Sequence, residues 1–104
     1  MDLKRLVAIL LVSVCGTAAH AELNVESMNT GSGLAQIMSR EAKCGYKIDP
    51  KALAAYMKSS KMDAPDVLAW ISNQKTYQDT QLAGVSAAEC AATEAAARGI
   101  GIIP

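Results

Sequence analysis

Three cysteines and one histidine are the residues of this 104-residue chain best suited to nucleophilic, redox or metal chemistry. Cys44 and Cys90 lie far apart in sequence, so they lack the C-x-x-C spacing of a redox pair. Only two lysines, Lys43 and Lys47, are near enough in sequence to Cys44 to activate a thiol. Such a pair is typical of a structural disulfide in an oxidising compartment. We predict that a Cys44–Cys90 bridge stabilises the fold by roughly 4 kcal/mol.

The histidine, His20, lies in an N-terminal segment that has the three parts of a secretory signal peptide. Basic residues precede an apolar run over 6–14, and an A-x-A cleavage site ends at Ala21. The apolar run is much shorter than the roughly 20 residues that a membrane-spanning helix needs. We therefore predict a cleaved signal peptide over 1–21, and cleavage two residues earlier would leave His20 at the new N-terminus.

The third cysteine, Cys15, supports an alternative in which the chain is lipidated. It ends the segment VSVC, which resembles the spacing before the first residue of an exported lipoprotein. Val14 is bulkier than the small residue usual before such a cysteine, so we favour a product with no stable membrane anchor. Cleavage at Ala21 would leave one more acidic than basic residue. This balance gives no electrostatic reason to expect a nucleic acid as partner.

The segment 22–31 is polar, contains glycine and lacks a sustained period, so we expect a flexible N-terminal segment. A helical domain is predicted over 32–104. Its first helix is expected to begin near Ser32 and to end at Gly45, which suits the left-handed residue that closes a helix. Cys44 would then lie at a helix end.

Three further helix starts combine a capping residue with a nearby proline or with a capping-box glutamate. The predicted caps are Asp49, Asp63 and Ser86, with Pro50, Pro65 and Glu89 as their partners. Because several residues after Trp70 are weak helix formers, the third helix has two possible ends, near Asn73 or towards Leu82. The tail is predicted to lay its three isoleucines, Ile100, Ile102 and Ile103, across the core. We therefore predict an all-α fold, a small bundle of about four short helices stapled by one disulfide.

Little catalytic chemistry remains in the processed chain. Without histidine, an imidazole-activated nucleophile and the commonest general base are excluded. With both cysteines bridged, a zinc ligand set is missing, and a calcium loop counted from Asp79 lacks its carboxylates. We predict no catalytic residue, no metal and no cofactor, and an enzyme that depends on carboxylates alone is the remaining catalytic alternative.

Aromatic and methionine side chains are the best candidates for a contact surface, because such residues suit partner recognition. Trp70 falls on the inward stripe of the third helix and is assigned to the core. The candidate contact residues are Tyr46, Tyr77, Met57 and Met62.

These features predict a small exported protein, periplasmic or secreted, that binds another envelope protein or a peptide without catalysis. In its export signal, helical pattern, small size and two distant cysteines, the chain resembles the periplasmic acid-stress chaperones of the HdeA type. That resemblance implies an alternative role in acid or envelope stress. In this role, protonation of the carboxylates would loosen helix packing and expose apolar surface.

Overall fold

The computed structural model describes residues 23–104, so the predicted signal peptide, with Cys15 and His20, lies outside the described residues. The described chain folds into four α-helices and contains no strand, which confirms the all-α prediction. The helices are α1 (Val25–Cys44), α2 (Pro50–Ser59), α3 (Pro65–Asp79) and α4 (Ala87–Gly99), with a 3-10 helix (Leu82–Gly84) before α4. The predicted disulfide is present: Cys44 at the end of α1 is bonded to Cys90 in the first turns of α4, across 46 residues of sequence.

The first helix begins earlier than the sequence pattern predicts. Asn24 is its N-cap, and α1 is already helical at Val25, so the predicted helix start near Ser32 is wrong. Residues 25–31 of the segment predicted to be flexible belong to this helix. The Asn24 side chain accepts a hydrogen bond from Ser27 N at 2.9 Å, and Ser27 Oγ accepts one from Asn24 N at 2.8 Å. This is a reciprocal capping box in which serine stands where glutamate or glutamine is usual.

The early turns of α1 are also stabilised by α3, which packs closely against Gly31. A Cβ atom built on Gly31 would lie 3.1 Å from Ile71 Cγ1 and 3.2 Å from Trp70 Cδ1. Trp70 Nε1 also donates a hydrogen bond to the carbonyl oxygen of Met28 at 3.0 Å. The glycine that lowers local helix propensity is therefore the residue that lets the two helices approach.

Two of the three predicted caps are confirmed and one is wrong. Asp49 accepts a hydrogen bond from Lys51 N at 3.1 Å at the start of α2, and Ser86 forms the predicted capping box at the start of α4. At α3 the N-cap is Ala64, which has no side-chain hydrogen bond, and Asp63 lies one residue outside the helix. The reason is that Pro65 occupies the first helical position, so the residue before it becomes the cap.

The structure also answers where α3 ends, because this helix continues to Asp79. Its last turn is tied to α1 by Ser39, a buried residue whose hydroxyl donates a hydrogen bond to Asp79 Oδ1 at 2.6 Å. Lys75 donates to the other carboxylate oxygen at 3.1 Å. These hydrogen bonds, the one from Ser39 above all, hold the pKa of Asp79 below its ordinary value.

The core is formed by buried apolar side chains of α1, α3, α4, the two loops that flank α2 and the C-terminal tail, whereas α2 and the 3-10 helix contribute none. Its buried members are Leu34, Ala35, Ile37, Tyr46, Met62, Val67, Ile71, Ala97, Ile102 and Ile103.

The C-terminal tail completes this core, as predicted. Ile102 is fully buried, Ile103 is buried and Ile100 is partly buried against the core. The carbonyl oxygen of Ile102 accepts a hydrogen bond from Asp49 N at 2.9 Å, which ties the tail to the start of α2. Gly101 makes the turn into the tail with φ of 81°, a left-handed conformation that favours glycine.

Candidate functional site

A groove of about 350 Å³ lies between α1 and α4, with α2 at one side; we call it the α1–α4 groove. Most of its lining is apolar, so a ligand would be desolvated on several sides. The apolar lining residues are Leu34, Ile37, Tyr56, Ala92, Ala96 and Ile100. Its volume is at the lower end of the range found for small-ligand sites, roughly 300–1,000 Å³.

Arg40 is the cation of this groove, and it is only 9% exposed. One terminal amino group, NH1, donates a hydrogen bond to Thr93 Oγ1 at 2.8 Å. The other, NH2, lies 3.4 Å from Glu89 Oε2. The Nε atom finds no hydrogen-bond partner among residues 23–104. Because a guanidinium carries five N–H donors and stays charged, this side chain is buried with part of its donor set unmatched.

Thr93 is held in place to receive this hydrogen bond. Its hydroxyl donates to the carbonyl oxygen of Glu89, one turn earlier in α4, at 2.7 Å. The same oxygen accepts from Arg40, so the hydroxyl has both a donor and an acceptor role. Thr93 therefore fixes the position of the guanidinium but adds no negative charge to balance it.

Glu89 balances the charge of Arg40 only in part. Its side chain is 51% exposed and its Oε2 atom is at the long distance of 3.4 Å from Arg40. The other carboxylate oxygen belongs to the cap of α4, where it accepts hydrogen bonds from the backbone and side chain of Ser86. An exposed, long ion pair contributes little, whereas a buried charge needs close compensation. The groove thus has an under-compensated positive charge among apolar walls.

The four predicted contact residues do not line this groove. Tyr46 and Met62 are buried in the core, so their assignment to a contact surface is corrected. Met57 is partly buried against the core, and Tyr77 is 58% exposed on α3 and stays a candidate. The structure does not bring the four together as one site.

Tyr46 has a clear structural role. Its hydroxyl donates a hydrogen bond to the carbonyl oxygen of Ile37, and its ring is in the core. Burial, with a smaller contribution from the nearby carboxylate of Glu41, raises the pKa of Tyr46 to about 12. The phenol is therefore neutral at physiological pH and joins α1 to the chain that follows it.

Sequence reasoning missed Arg40, because a single arginine in a helix usually lies on a solvated face. One signal was present: Arg40 lies three residues after Ile37, which places it on the same side of α1 as that apolar residue. A charged residue on the inward stripe needs a partner on the facing helix. Here that helix is α4.

The described residues contain neither a metal site nor a membrane-spanning helix. Within residues 23–104, no group of three or more His, Cys, Asp and Glu side chains is placed to hold a metal ion. In the same part of the chain, none of the helices combines the length and apolar character needed to cross a membrane.

Fold and groove together define a class of protein: a disulfide-linked all-α domain with a small, mostly apolar groove and a buried arginine. Comparison with protein-family models, curated proteins and solved structures finds no match to this chain. Its function must therefore be argued from the groove.

Proposed function

We propose that this protein is a small exported module, periplasmic or secreted, that binds another envelope protein or a peptide in the α1–α4 groove and performs no catalysis. The observation that carries the proposal is the groove, where apolar walls surround a nearly buried guanidinium with an unmatched donor. Preformed concave sites with apolar walls and a few polar groups are typical of binding sites.

The chemistry of the groove favours binding over catalysis. A guanidinium group is unsuited to act as a general acid or base at neutral pH. The Thr93 hydroxyl is engaged as donor and acceptor, and Glu89 is the only carboxylate that lines the groove within the described chain. A lone carboxylate beside a fixed guanidinium is a poor proton-transfer system. Cys44 and Cys90 are bonded to each other and supply no nucleophile.

Export is supported by two independent features. The N-terminal segment has the pattern of a signal peptide, and the domain contains a disulfide of the kind that persists in oxidising compartments. The mass of the protein purified from its native host, measured with and without reduction and alkylation, tests both features. Free thiols together with an intact N-terminal methionine would contradict export.

The binding proposal is tested by blocking the groove without harming the fold. Gly33 lines the groove, and a Cβ atom built on it has no contact within 4 Å beyond the adjoining residues and backbone of its own helix. Gly33→Leu therefore fills the groove and is compatible with the helix. Gly99 has the same open surroundings in α4 but does not line the groove, so Gly99→Leu is the matched control.

The assay is affinity selection by the purified, disulfide-bonded protein from a synthetic pool of random hexapeptides, read by mass spectrometry. Each sequence is present with both a free and an amidated C-terminus. We expect the wild-type protein and the Gly99→Leu variant to select the same peptides, and the Gly33→Leu variant to lose them while keeping its helical circular dichroism. Absence of any selected peptide, or equal selection by Gly33→Leu, would contradict binding in the groove.

A second candidate function, protection under acid or envelope stress, is favoured by the packing of α2. Within the described chain, this helix has no fully buried residue, and it contacts the core through Leu53, Tyr56 and Met57. The segment before α2 is fixed by Glu41, whose carboxylate accepts a hydrogen bond from Ile48 N at 2.6 Å. In an acid-expanded state, release of this weakly packed helix would expose its apolar residues.

This second candidate is tested with an aggregating client protein at about pH 3, a condition in which acid-expanded states expose apolar surface. We expect the wild-type protein to suppress aggregation of the client, and a Leu53→Gln, Met57→Gln double variant to suppress it less. Lys51→Gln, an exposed change on the same helix, is the matched control. No suppression by the wild-type protein would eliminate this role.

A further inference from the structure

Arg40 lacks a close, negatively charged acceptor for its guanidinium. Thr93 supplies one neutral acceptor and Glu89 supplies a distant carboxylate oxygen. The Nε atom has no partner within the described part of the chain. Nε is almost inaccessible, so the exposed part of the Arg40 side chain belongs to other atoms, and an approaching ligand meets those first.

We propose that the α1–α4 groove receives the free C-terminal carboxylate of an apolar peptide segment, with the guanidinium of Arg40 as the anion partner. The inference rests on the proposed function and names the ligand chemistry of the same site. A guanidinium has a planar set of donors that matches the two oxygens of a carboxylate, and such charge-assisted hydrogen bonds are strong. They are stronger again where apolar walls exclude water.

The dimensions and lining of the groove favour the end of a polypeptide as its occupant. A volume of about 350 Å³ suits the last residues of a chain better than a helix lying across the surface. Thr30 and Gln36 add polar groups to the lining on the α1 side. Their side chains can hydrogen-bond the main-chain amides of a peptide, whereas an alkyl chain has no group to pair with them.

The proposal also predicts that replacing Glu89 raises the affinity for a carboxylate ligand, whereas replacing Arg40 lowers it. The carboxylate of Glu89 lies at the same guanidinium, so it competes electrostatically with an incoming carboxylate. Glu89→Gln removes that competition and keeps a side chain that suits the third position of a capping box. Affinity for a carboxylate ligand should therefore rise in this variant. An Arg40 with a purely structural role would give no such increase.

The experiment measures binding of a synthetic tripeptide, acetylated alanine followed by two leucines, by isothermal titration calorimetry with the purified, disulfide-bonded protein. The peptide with a free C-terminal carboxylate is compared with its C-terminal amide, and octanoate is the third ligand. We expect the amide to bind about tenfold more weakly or worse than the free acid, since a charge-assisted pair is lost. This comparison uses the wild-type protein, so no variant needs to fold for it to decide.

Variants then assign the effect to Arg40. Arg40→Met removes the guanidinium and should abolish the preference for the free acid, and Arg40→Lys should keep only part of it. Arg98→Met is the matched control, because Arg98 is exposed, lies on α4, pairs with Glu94 and does not line the groove. Glu94→Gln is likewise the control for Glu89→Gln, which should bind the free acid several-fold more tightly than the wild type does.

The outcomes separate this inference from the proposed function. If the free-acid and amidated peptides bind with equal affinity and Gly33→Leu binds neither, the carboxylate inference is overturned. Binding in the groove is then still supported. Loss of the acid preference in Arg98→Met as well would overturn the assignment to Arg40. Tight binding of octanoate with no binding of either peptide would overturn the peptide occupant. Failure of every peptide, here and in the hexapeptide pool, would overturn both proposals.

Discussion

Replacing Gly31 or Gly33, two glycines of the same helix, by alanine should change the stability of the protein in opposite directions. Both lie inside α1, where alanine is favoured over glycine by about 0.5–1 kcal/mol. At Gly33 a Cβ atom has no contact within 4 Å beyond the adjoining residues and backbone of α1, so Gly33→Ala should stabilise the protein by that amount. At Gly31 the added methyl group is placed 3.1 Å from Ile71 and 3.2 Å from Trp70.

Neither neighbour of Gly31 can move away easily. Ile71 is buried in the core, and the indole of Trp70 is fixed by its hydrogen bond to the carbonyl oxygen of Met28. Overpacking of this kind costs about 1–3 kcal/mol. The backbone gain is common to both substitutions, so the difference between the two variants measures the packing cost alone. We expect Gly31→Ala to be less stable than Gly33→Ala by about 1–3 kcal/mol.

The assay is urea denaturation followed by far-ultraviolet circular dichroism, with the disulfide oxidised in all three proteins. The midpoint should rise for Gly33→Ala and fall for Gly31→Ala at constant m-value, because the surface exposed on unfolding is unchanged. Thermal midpoints should separate by at least about 4 °C, the shift that 1 kcal/mol gives in a domain of this size. Equal stability of the two variants would refute the close approach of α1 and α3 at Gly31.

Three further predictions concern the disulfide and the two groups with shifted pKa values. Replacing Cys44 and Cys90 by alanine should lower the free energy of unfolding by roughly 4 kcal/mol, measured by denaturant titration, and a loss of much less would mean that the unfolded chain is already constrained. Tyr46→Phe should cost about 1 kcal/mol at neutral pH through its lost hydrogen bond. Because the pKa of Tyr46 is raised to about 12, wild-type stability is intact below the ordinary pKa of about 10 and falls as pH rises from there; the variant should lack this component in denaturant titrations at alkaline pH. The pKa of Asp79 is lowered, so its contribution is present above the ordinary carboxyl pKa and is lost as pH falls below it. Asp79→Asn should therefore flatten the acid side of the stability profile, and an unchanged profile would show that the hydrogen bond from Ser39 does not depend on the charge.

Local chemistry made part of this fold predictable. Pro50 after Asp49, and Glu89 three residues after Ser86, mark helix starts through interactions that need no distant partner. The disulfide followed from counting cysteines once the N-terminal segment was set aside.

Features that depend on distant residues were not predictable in this way. Gly31 is helical because α3 packs against it, although glycine in a helix interior is unfavourable locally. Tyr46 and Met62 lie in the loops that flank α2 and are buried only in the packed core, so their residue types alone suggested a contact surface. Arg40 became a candidate only when α4 was seen to face it with Thr93. The groove exists only in the packed structure.

The contribution of the tail to the core affects the order in which the core can be completed during protein synthesis. A chain is delivered from its N-terminus, so α1 with Leu34 and Ile37 is available long before Ile102 and Ile103. Until those two isoleucines arrive, the apolar faces of the first helices have no complete interior to cover them. Completion of this core must therefore wait until Ile102 and Ile103 have been synthesised, although most of the other core residues precede them by many positions.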